Sequence, residues 1–200
     1  MKSILFVLSL IIASALLFAA CGSAPTAEID ATKGAVAAVQ TDDVRTYAPE
    51  SLKTAEEELS SALAEVQTQD SKFALSRDYK QSTDMLKKAK DLAEKAQSEA
   101  QANKAKAKGD AETLIASLSP LIDEAKNTLA KAPKGKDTKA DIEAMQGDLV
   151  LAEEAMNEAN TALAGEKYMD ALTKANSAKE KASAVIEQVK AAQEKARGRR

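Results

Sequence analysis

Residues 79–107 read YKQSTDMLKKAKDLAEKAQSEAQANKAKA, and this stretch decides the fold. Mostly small or apolar residues recur in it at alternating steps of three and four, at Tyr79, Ser82, Leu86, Ala89, Ala93, Ala96, Ala100, Asn103 and Ala107. That spacing places them on one side of an α-helix. Because a stripe made largely of alanine buries little surface per residue, such a helix needs a closely packed partner over a considerable length. The stretch therefore predicts a long helix whose backbone approaches a neighbouring helix closely.

The segments on either side of this stretch carry stripes of larger apolar residues. Pro49 suits the first position of a helix, and the pattern behind it runs through Leu52, Ala55, Leu59, Ala62, Val66 and Phe73. After the stretch the stripe resumes at Ala111, following a step of four around Gly109, and continues to Leu129. Pro120 leaves open whether residues 79–131 form one kinked helix or two. A helix with an apolar stripe cannot bury it alone, so an antiparallel hairpin is expected.

A second pair of helices repeats this arrangement after a loop at residues 132–137. Its stripes comprise Ile142, Met145, Leu149, Ala152, Met156, Ala159 and Leu163, then Tyr168, Ala171, Ala175, Ala178, Ala182, Val185, Val189, Ala192 and Ala196. Asp137 or Thr138 is expected to cap its first helix, and Gly165 to turn the chain. The predicted fold is all-α: elongated antiparallel helical hairpins, or a coiled-coil-like bundle, with two similar helix pairs.

These patterns also predict the domain boundaries. Residues 27–131 hold a short helix that ends near Asp42-Asp43 and then the first hairpin with its long second helix. Residues 138–197 hold the second hairpin, and residues 198–200 form a basic tail.

The composition favours helices and limits the chemistry. Aromatic residues make up 3% of the chain and tryptophan is absent, whereas strands are enriched in aromatic and β-branched residues. The chain has no histidine, which removes His-based acid–base catalysis, Ser-His-Asp triads and zinc sites of the usual composition. A formal net charge of −3 argues against a nucleic-acid partner. We therefore expect no catalysis, no metal and no nucleic-acid partner.

The N-terminus has the layout of an export signal. Lys2 supplies a positive charge, residues 4–17 are apolar apart from two serines, and small residues lead to Cys21, the only cysteine. The run Leu17-Phe18-Ala19-Ala20-Cys21 resembles the lipobox of bacterial lipoproteins. That resemblance implies cleavage before Cys21, a diacylglycerol on its thiol and an acyl group on its new amino group. The family usually has leucine three residues before the cysteine, where this chain has Phe18.

The resemblance also implies a location. Residues 1–20 would be the signal peptide and residues 21–26 the lipidated cysteine with its tether. Gly22 stands where the family's inner-membrane retention signal has aspartate, so attachment to the outer membrane, facing the periplasm, is expected. Two or more acyl chains make such attachment stable. Two alternatives stay open: an uncleaved membrane helix over residues 4–20, and an ordinary signal with a free thiol.

Two further resemblances concern the helices. The run Tyr47-Ala48-Pro49-Glu50-Ser51-Leu52, followed by Asp78-Tyr79, resembles a helical-hairpin domain of unknown function found in bacterial lipoproteins, over roughly residues 27–100. That family usually has alanine three residues after the tyrosine; this chain has Ser82 there, and Ala171 in the second copy. Residues 162–172 resemble the helix-turn-helix of tetratricopeptide repeats, although no 34-residue period is sustained.

Two functional hypotheses follow. The first is a lipid-anchored scaffold or spacer in the cell envelope, meeting partners through an exposed helical groove or through self-association along its stripes. The second is a tetratricopeptide-like module that binds a peptide or a cell-wall fragment near Tyr79 or Tyr168. The position of both tyrosines at a hairpin turn favours packing over ligand contact. The lysines clustered between Lys87 and Lys108 are interpreted as a solvated face rather than a site for anionic polymers.

Overall fold

The computed structural model of the chain describes residues 23–133 and 138–198, and this part of the chain is all-α. Its α-helices are α1 (Thr26–Ala38), α2 (Asp42–Tyr47), α3 (Pro49–Asp70), α4 (Lys80–Ala130), α5 (Lys139–Ala164) and α6 (Tyr168–Gly198). A 3₁₀ turn at Ala74–Ser76 lies between α3 and α4. The predicted all-α class is confirmed.

The helix α4 passes through two compact units of the chain. It is a single helix of 51 residues with Pro120 inside it, which answers the question that the sequence left open. The units divide between Asn103 and Lys104. The first therefore holds α1, α2, α3 and the beginning of α4, and the second holds the rest of α4 with α5 and α6.

In the first unit, α3 and the beginning of α4 form the predicted antiparallel hairpin. Lys88 pairs with Glu58 at 2.8 Å, and the Tyr79 hydroxyl lies 2.5 Å from an Asp70 carboxylate oxygen. Residue numbers thus fall along α4 as they rise along α3, which is the signature of antiparallel neighbours. Pro49 occupies the first turn of α3, as predicted.

The helix α1 packs on α3. It runs parallel to α4, because its first residues lie beside residues 78–80 and Thr83, and Thr32 further along it contacts Leu86. The Thr32 hydroxyl donates to the backbone carbonyl of Leu86 at 3.3 Å. The helix α1 begins at Thr26, six residues before Thr32, and α4 begins at Lys80, six residues before Leu86. Since every helical residue adds the same rise, α1 and α4 begin at the same level. One end of the first unit therefore holds Ser23, the end of α3 and the start of α4; we call it the entry end.

The predicted stripe of α4 is buried along the first unit, from Tyr79 to Ala100. Leu86, Ala89, Ala93 and Ala96 have no exposed surface. Asn103, the next stripe position, is exposed, but its side-chain amide donates to the backbone carbonyl of Tyr47 at 2.8 Å. This bond ties α4 to the junction between α2 and α3, immediately before the proline that opens α3.

The second unit contains the second predicted hairpin. Two ion pairs join α5 and α6 in antiparallel order, Glu158 with Lys174 at 2.7 Å and Asp148 with Lys181 at 3.7 Å. Lys126 of α4 pairs with Glu153 of α5. The side-chain amide of Gln193 donates to the carbonyl of Lys131 at 3.1 Å, which places the end of α6 beside the end of α4. The buried core includes Leu118, Ile122, Leu129, Met145, Leu149, Val185 and Val189.

Several helix boundaries differ from those that the sequence predicted. The first helix ends at Ala38 rather than near Asp42-Asp43, because the Thr41 hydroxyl accepts a hydrogen bond from the Val44 amide and caps a separate helix, α2. Thr26 belongs to α1 and not to the tether. At the other end of the chain, α6 runs through Gly198, one residue past the predicted hairpin.

The predicted stripe of α3 is wrong at its last member, Phe73. Its side chain is 76% exposed, because α3 ends at Asp70 and the helical spacing no longer sets its direction. The predicted stripe implies a helix that extends at least to Phe73. Leu52 and Val66 are buried as predicted, whereas Leu59 is only half-buried.

The loop between α4 and α5 is described at Ala132, Pro133 and Thr138. Thr138 stands at the N-cap position of α5, as predicted, but its side chain does not cap the helix. Its hydroxyl donates instead to the Pro133 carbonyl at 3.0 Å. The alternative cap, Asp137, lies outside the described residues, as does the rest of the predicted loop.

The turn between α5 and α6 places a non-glycine residue in the left-handed region. Glu166 has φ +57°, while Gly165, the residue expected to turn the chain, has φ −84°. The Lys167 amide donates to the Ala162 carbonyl at 2.9 Å and the Glu166 amide to the Leu163 carbonyl at 3.1 Å. This pair of bonds is a Schellman motif, whose left-handed position favours glycine.

Truncating Leu86 tests the buried stripe. Leu86→Ala should lower the free energy of unfolding by about 2–5 kcal/mol, because it leaves a cavity in a fully buried site. Leu75→Ala, at a side chain that is 91% exposed, is the matched control and should change it by less than about 0.5 kcal/mol. Urea unfolding followed by circular dichroism measures both. Equal effects of the two substitutions would contradict the assigned core.

Replacing Glu166 by glycine tests the strained turn. Glu166→Gly should raise the free energy of unfolding by about 1 kcal/mol, since glycine adopts a positive φ without steric cost. Lys167→Gly, one residue further on and outside the left-handed region, should instead leave it unchanged or lower it. Thermal unfolding of the two variants measures the difference. A lower melting temperature for Glu166→Gly would refute the strain.

Candidate functional site

The turn between α3 and α4 is the candidate site, and Tyr79 lies at its centre. The Tyr79 side chain is 7% exposed, and its hydroxyl donates to Asp70 Oδ1 at 2.5 Å. The hydrogen bond to Asp70, then burial, then the negative charge of Asp70 raise the pKa of Tyr79 above its ordinary value of 10.0. The tyrosine is therefore held neutral and fastened to the last residue of α3, which supports packing over ligand contact.

Arg77 closes the C-terminal end of α3. Its guanidinium donates from Nη2 to the Asp70 carbonyl at 2.8 Å and from Nε to the Lys72 carbonyl at 3.0 Å. Carbonyls at a helix C-terminus lack intrahelical partners and carry partial negative charge, so a cation there is stabilising. Arg77 thus serves as a cap for α3.

Asp78 opens α4 and joins it to α3. Its carboxylate accepts from the Lys80 amide at 2.9 Å, while its own amide donates to the side-chain carbonyl of Gln69 at 3.1 Å. Three residues after Tyr79, Ser82 is fully buried, and its hydroxyl donates to the Tyr79 carbonyl at 2.9 Å. This bond gives the buried Ser82 hydroxyl a partner.

Two large apolar side chains project from this closed turn. Phe73 is 76% exposed and Leu75 is 91% exposed. The 3₁₀ turn that follows Phe73 and contains Leu75 is held by the Ser76 amide, which donates to the Phe73 carbonyl at 2.8 Å. Sequence reasoning missed this feature because it continued the α3 stripe to Phe73. The sequence does contain one signal for it. Asp78 is of a residue type that favours helix starts and stands directly before the α4 stripe, so it indicates that Phe73 and Leu75 belong to a turn.

A surface depression of about 420 Å³ adjoins the turn at the entry end. It is lined on one side by the chain's first described residues, Ser23 to Glu28, and on the other by residues 78–80 and Thr83. The start of the described chain therefore lies against the start of α4. The Tyr79 hydroxyl is already committed to Asp70.

The second predicted tyrosine occupies the corresponding place in the second unit. Tyr168 is the first residue of α6 and is 7% exposed, as Tyr79 is. Ala171, which matches Ser82, is fully buried. The structure thus brings Tyr79 and Tyr168 to equivalent hairpin turns, one in each unit.

The residues of the predicted lipidation site, Leu17, Phe18, Ala19, Ala20 and Cys21, lie outside the described residues. Within residues 23–133 and 138–198, no helix is long and apolar enough to cross a membrane. The same residues contain no cluster of three or more acidic or sulfur ligands suited to a metal ion.

The lysines of α4 lie close to acidic neighbours. Those within 4.0 Å of a carboxylate include Lys88, Lys90, Lys95, Lys106, Lys108 and Lys126. Exposed pairs of this kind contribute about 0–1 kcal/mol each. Their pairing agrees with the interpretation of a solvated, charge-balanced face.

Comparison of the chain with protein families, with curated proteins and with solved structures finds no match in any of the three.

Removing the Tyr79 hydroxyl tests the closure of the turn. Tyr79→Phe should lower stability at neutral pH, because the Asp70 carboxylate loses its donor. The raised pKa means that this contribution is complete below pH 10 and is lost as the pH rises through the folded-state pKa, since the unfolded chain releases its proton first. Urea unfolding midpoints of wild type and variant should therefore converge at high pH.

Tyr168→Phe is the control for that comparison, because Tyr168 is buried to the same extent at the equivalent turn. It reports the loss of a tyrosine hydroxyl without the bond to Asp70. A difference between wild type and Tyr79→Phe that stays constant up to strongly alkaline pH would contradict the assigned role of Asp70.

Proposed function

We propose that this protein is a lipid-anchored helical protein of the cell envelope, attached to the outer membrane and facing the periplasm, with a structural role as a scaffold or spacer. The observation that carries the proposal is the pairing of its helices. The small-residue stripe of α4 is buried against neighbouring helices of the chain on both sides of Asn103. Its apolar surface is thus used to hold the helices together.

The chemistry of the candidate turn supports a structural role without catalysis. Asp70, Arg77 and Asp78 are charged groups of this turn, and each is engaged in a bond that caps a helix or closes the hairpin. Catalytic carboxylates need a reacting group within hydrogen-bond reach. Here the acids are satisfied by the chain's own hydroxyl and amide groups.

The anchor rests on the pattern of residues 17–21. In this proposal Cys21 carries diacylglycerol on sulfur and an acyl group on its amino group, and no other cofactor is required. Several acyl chains make attachment stable, whereas a single chain gives only marginal binding. The protein would then meet its protein or cell-wall partners through an exposed helical groove or through contact with further copies of itself.

The alternative is a module that binds a peptide or a cell-wall fragment. The depression of about 420 Å³ beside Tyr79 favours it, because hydroxyl and charged groups such as Glu28, Asp78 and Thr83 line that surface. Crosslinking in cells with mass spectrometry separates the two. A spacer is captured with itself or with envelope proteins, whereas a module is captured with a ligand at residues 23–28 or 78–83.

Replacing Cys21 tests the anchor. Wild-type mature protein should partition into the detergent phase and show the mass of its attached lipid. Cys21→Ser should leave a soluble or uncleaved protein, because the serine hydroxyl cannot take the thioether-linked diacylglycerol. Ser23→Ala, two residues away, is the control and should behave as wild type. Normal processing and detergent partitioning of Cys21→Ser would refute the lipid assignment.

A further inference from the structure

The turn between α3 and α4 holds two apolar side chains in water although its backbone is fixed. Phe73 and Leu75 are 76% and 91% exposed, more than the other exposed large hydrophobic residues of the described chain, which are 46% to 52% exposed. Single exposed apolar residues are ordinary on protein surfaces. Two at one tip are a feature that needs a partner surface.

The exposure of this tip is built into the fold. Arg77, which follows the tip, donates to the carbonyls of Asp70 and Lys72, which precede it, and so joins the two sides of the tip. The Tyr79 hydroxyl fastens the end of the segment to Asp70. With the backbone held in this way, Phe73 and Leu75 stay exposed beside bonds that also cap α3.

The start of the chain lies at the same end as the tip. The helix α1 runs parallel to α4, because residues 23–28 share a surface depression with residues 78–80, and Thr32 further along α1 contacts Leu86. Ser23 follows Cys21 by two positions, a span of at most about 7 Å. A lipid on Cys21 would therefore bring a membrane surface to the entry end.

We infer that Phe73 and Leu75 insert into the membrane surface that holds the lipid anchor. This inference rests on the proposed attachment at Cys21. Apolar side chains enter the boundary between headgroups and acyl chains to a depth of about 5–10 Å. The anchor keeps the tip at high effective concentration beside the bilayer, so two side chains suffice for a persistent contact. Lipid and tip together hold the first unit with its entry end toward the membrane and the α2–α3 junction away from it.

The charges around the tip indicate that this contact is apolar. Lys72 and Arg77 are balanced by Asp70 and Asp78 within the same turn. A basic patch would bind anionic headgroups in a salt-dependent way, but a balanced surface gains little from them. The contact should therefore persist at high salt, where interactions between exposed charges are screened.

A fluorescent reporter between the two side chains tests the inference. Ala74 is exposed and lies between Phe73 and Leu75, so Ala74→Cys leaves both in place. In the lipidated full chain the Cys21 sulfur is blocked, and only the introduced thiol takes an environment-sensitive label such as nitrobenzoxadiazole. Ser60→Cys is the matched control, exposed on α3 about 15 Å before its end.

Both proteins are reconstituted into vesicles of phosphatidylethanolamine and phosphatidylglycerol. The label at residue 74 should shift to the blue and lose its quenching by iodide, and the label at residue 60 should stay water-like. Adding Phe73→Ser and Leu75→Ser to the Ala74→Cys protein should abolish the blue shift. Thermal unfolding of that variant should be unchanged, since both replaced side chains are exposed.

Flotation of the vesicles separates the two ways in which the inference can fail. Protein that floats while the label at residue 74 stays water-like overturns the tip insertion and leaves the anchor standing. Protein that does not float overturns the anchor and the insertion with it. A label that is shielded in cells but water-like in pure lipid vesicles assigns the tip to a protein partner and also overturns the insertion.

Discussion

Close contact between alanine-lined helix faces is the constraint on which the rest of this structure depends. Ala55 and Ala62 of α3, and Ala89 and Ala93 of α4, have no exposed surface at all. Each alanine buries little apolar area, so the stabilisation is spread thinly along the helices and grows with their length. Small side chains also let the backbones approach, and in a close-packed interior a larger residue at one of these positions would force them apart.

Because the helices are held together by many weak contacts, the end of the hairpin is stabilised separately, by hydrogen bonds. The turn after α3 supplies it with side-chain bonds from Arg77, Asp78 and Tyr79, which satisfy the helix termini and join the two helices. The same bonds fix where Phe73 and Leu75 point. In the proposed function, a structural device that closes the hairpin thereby also sets the face that the protein turns toward the membrane.

The fold was largely predictable, and the site only in part. Steps of three and four located the buried faces of α4, α5 and α6, since burial in a helix follows its period. The same rule failed at Phe73, because the period has no meaning once the helix has ended at Asp70. Thr41, followed by two aspartates, is a recognisable helix start and was overlooked, so α2 was missed. The hydrogen-bond partner of Tyr79 could not be predicted, since Asp70 contacts the tyrosine only because α3 ends at that residue.

The all-α class, the pairing of neighbouring helices into hairpins, and the pattern that points to a lipid on Cys21 can be predicted from the residues alone. These follow from spacing and residue type along short stretches of chain. Only the tertiary structure decided that α1 lies parallel to α4, that Ser23 adjoins the start of α4, and that the tip at Phe73 and Leu75 shares that end. The reason is physical, because the contact between Thr32 and Leu86 joins residues that are 54 positions apart. Helical periodicity determines which face of a helix is buried. It does not determine which distant helix packs on that face, in which direction or at what register.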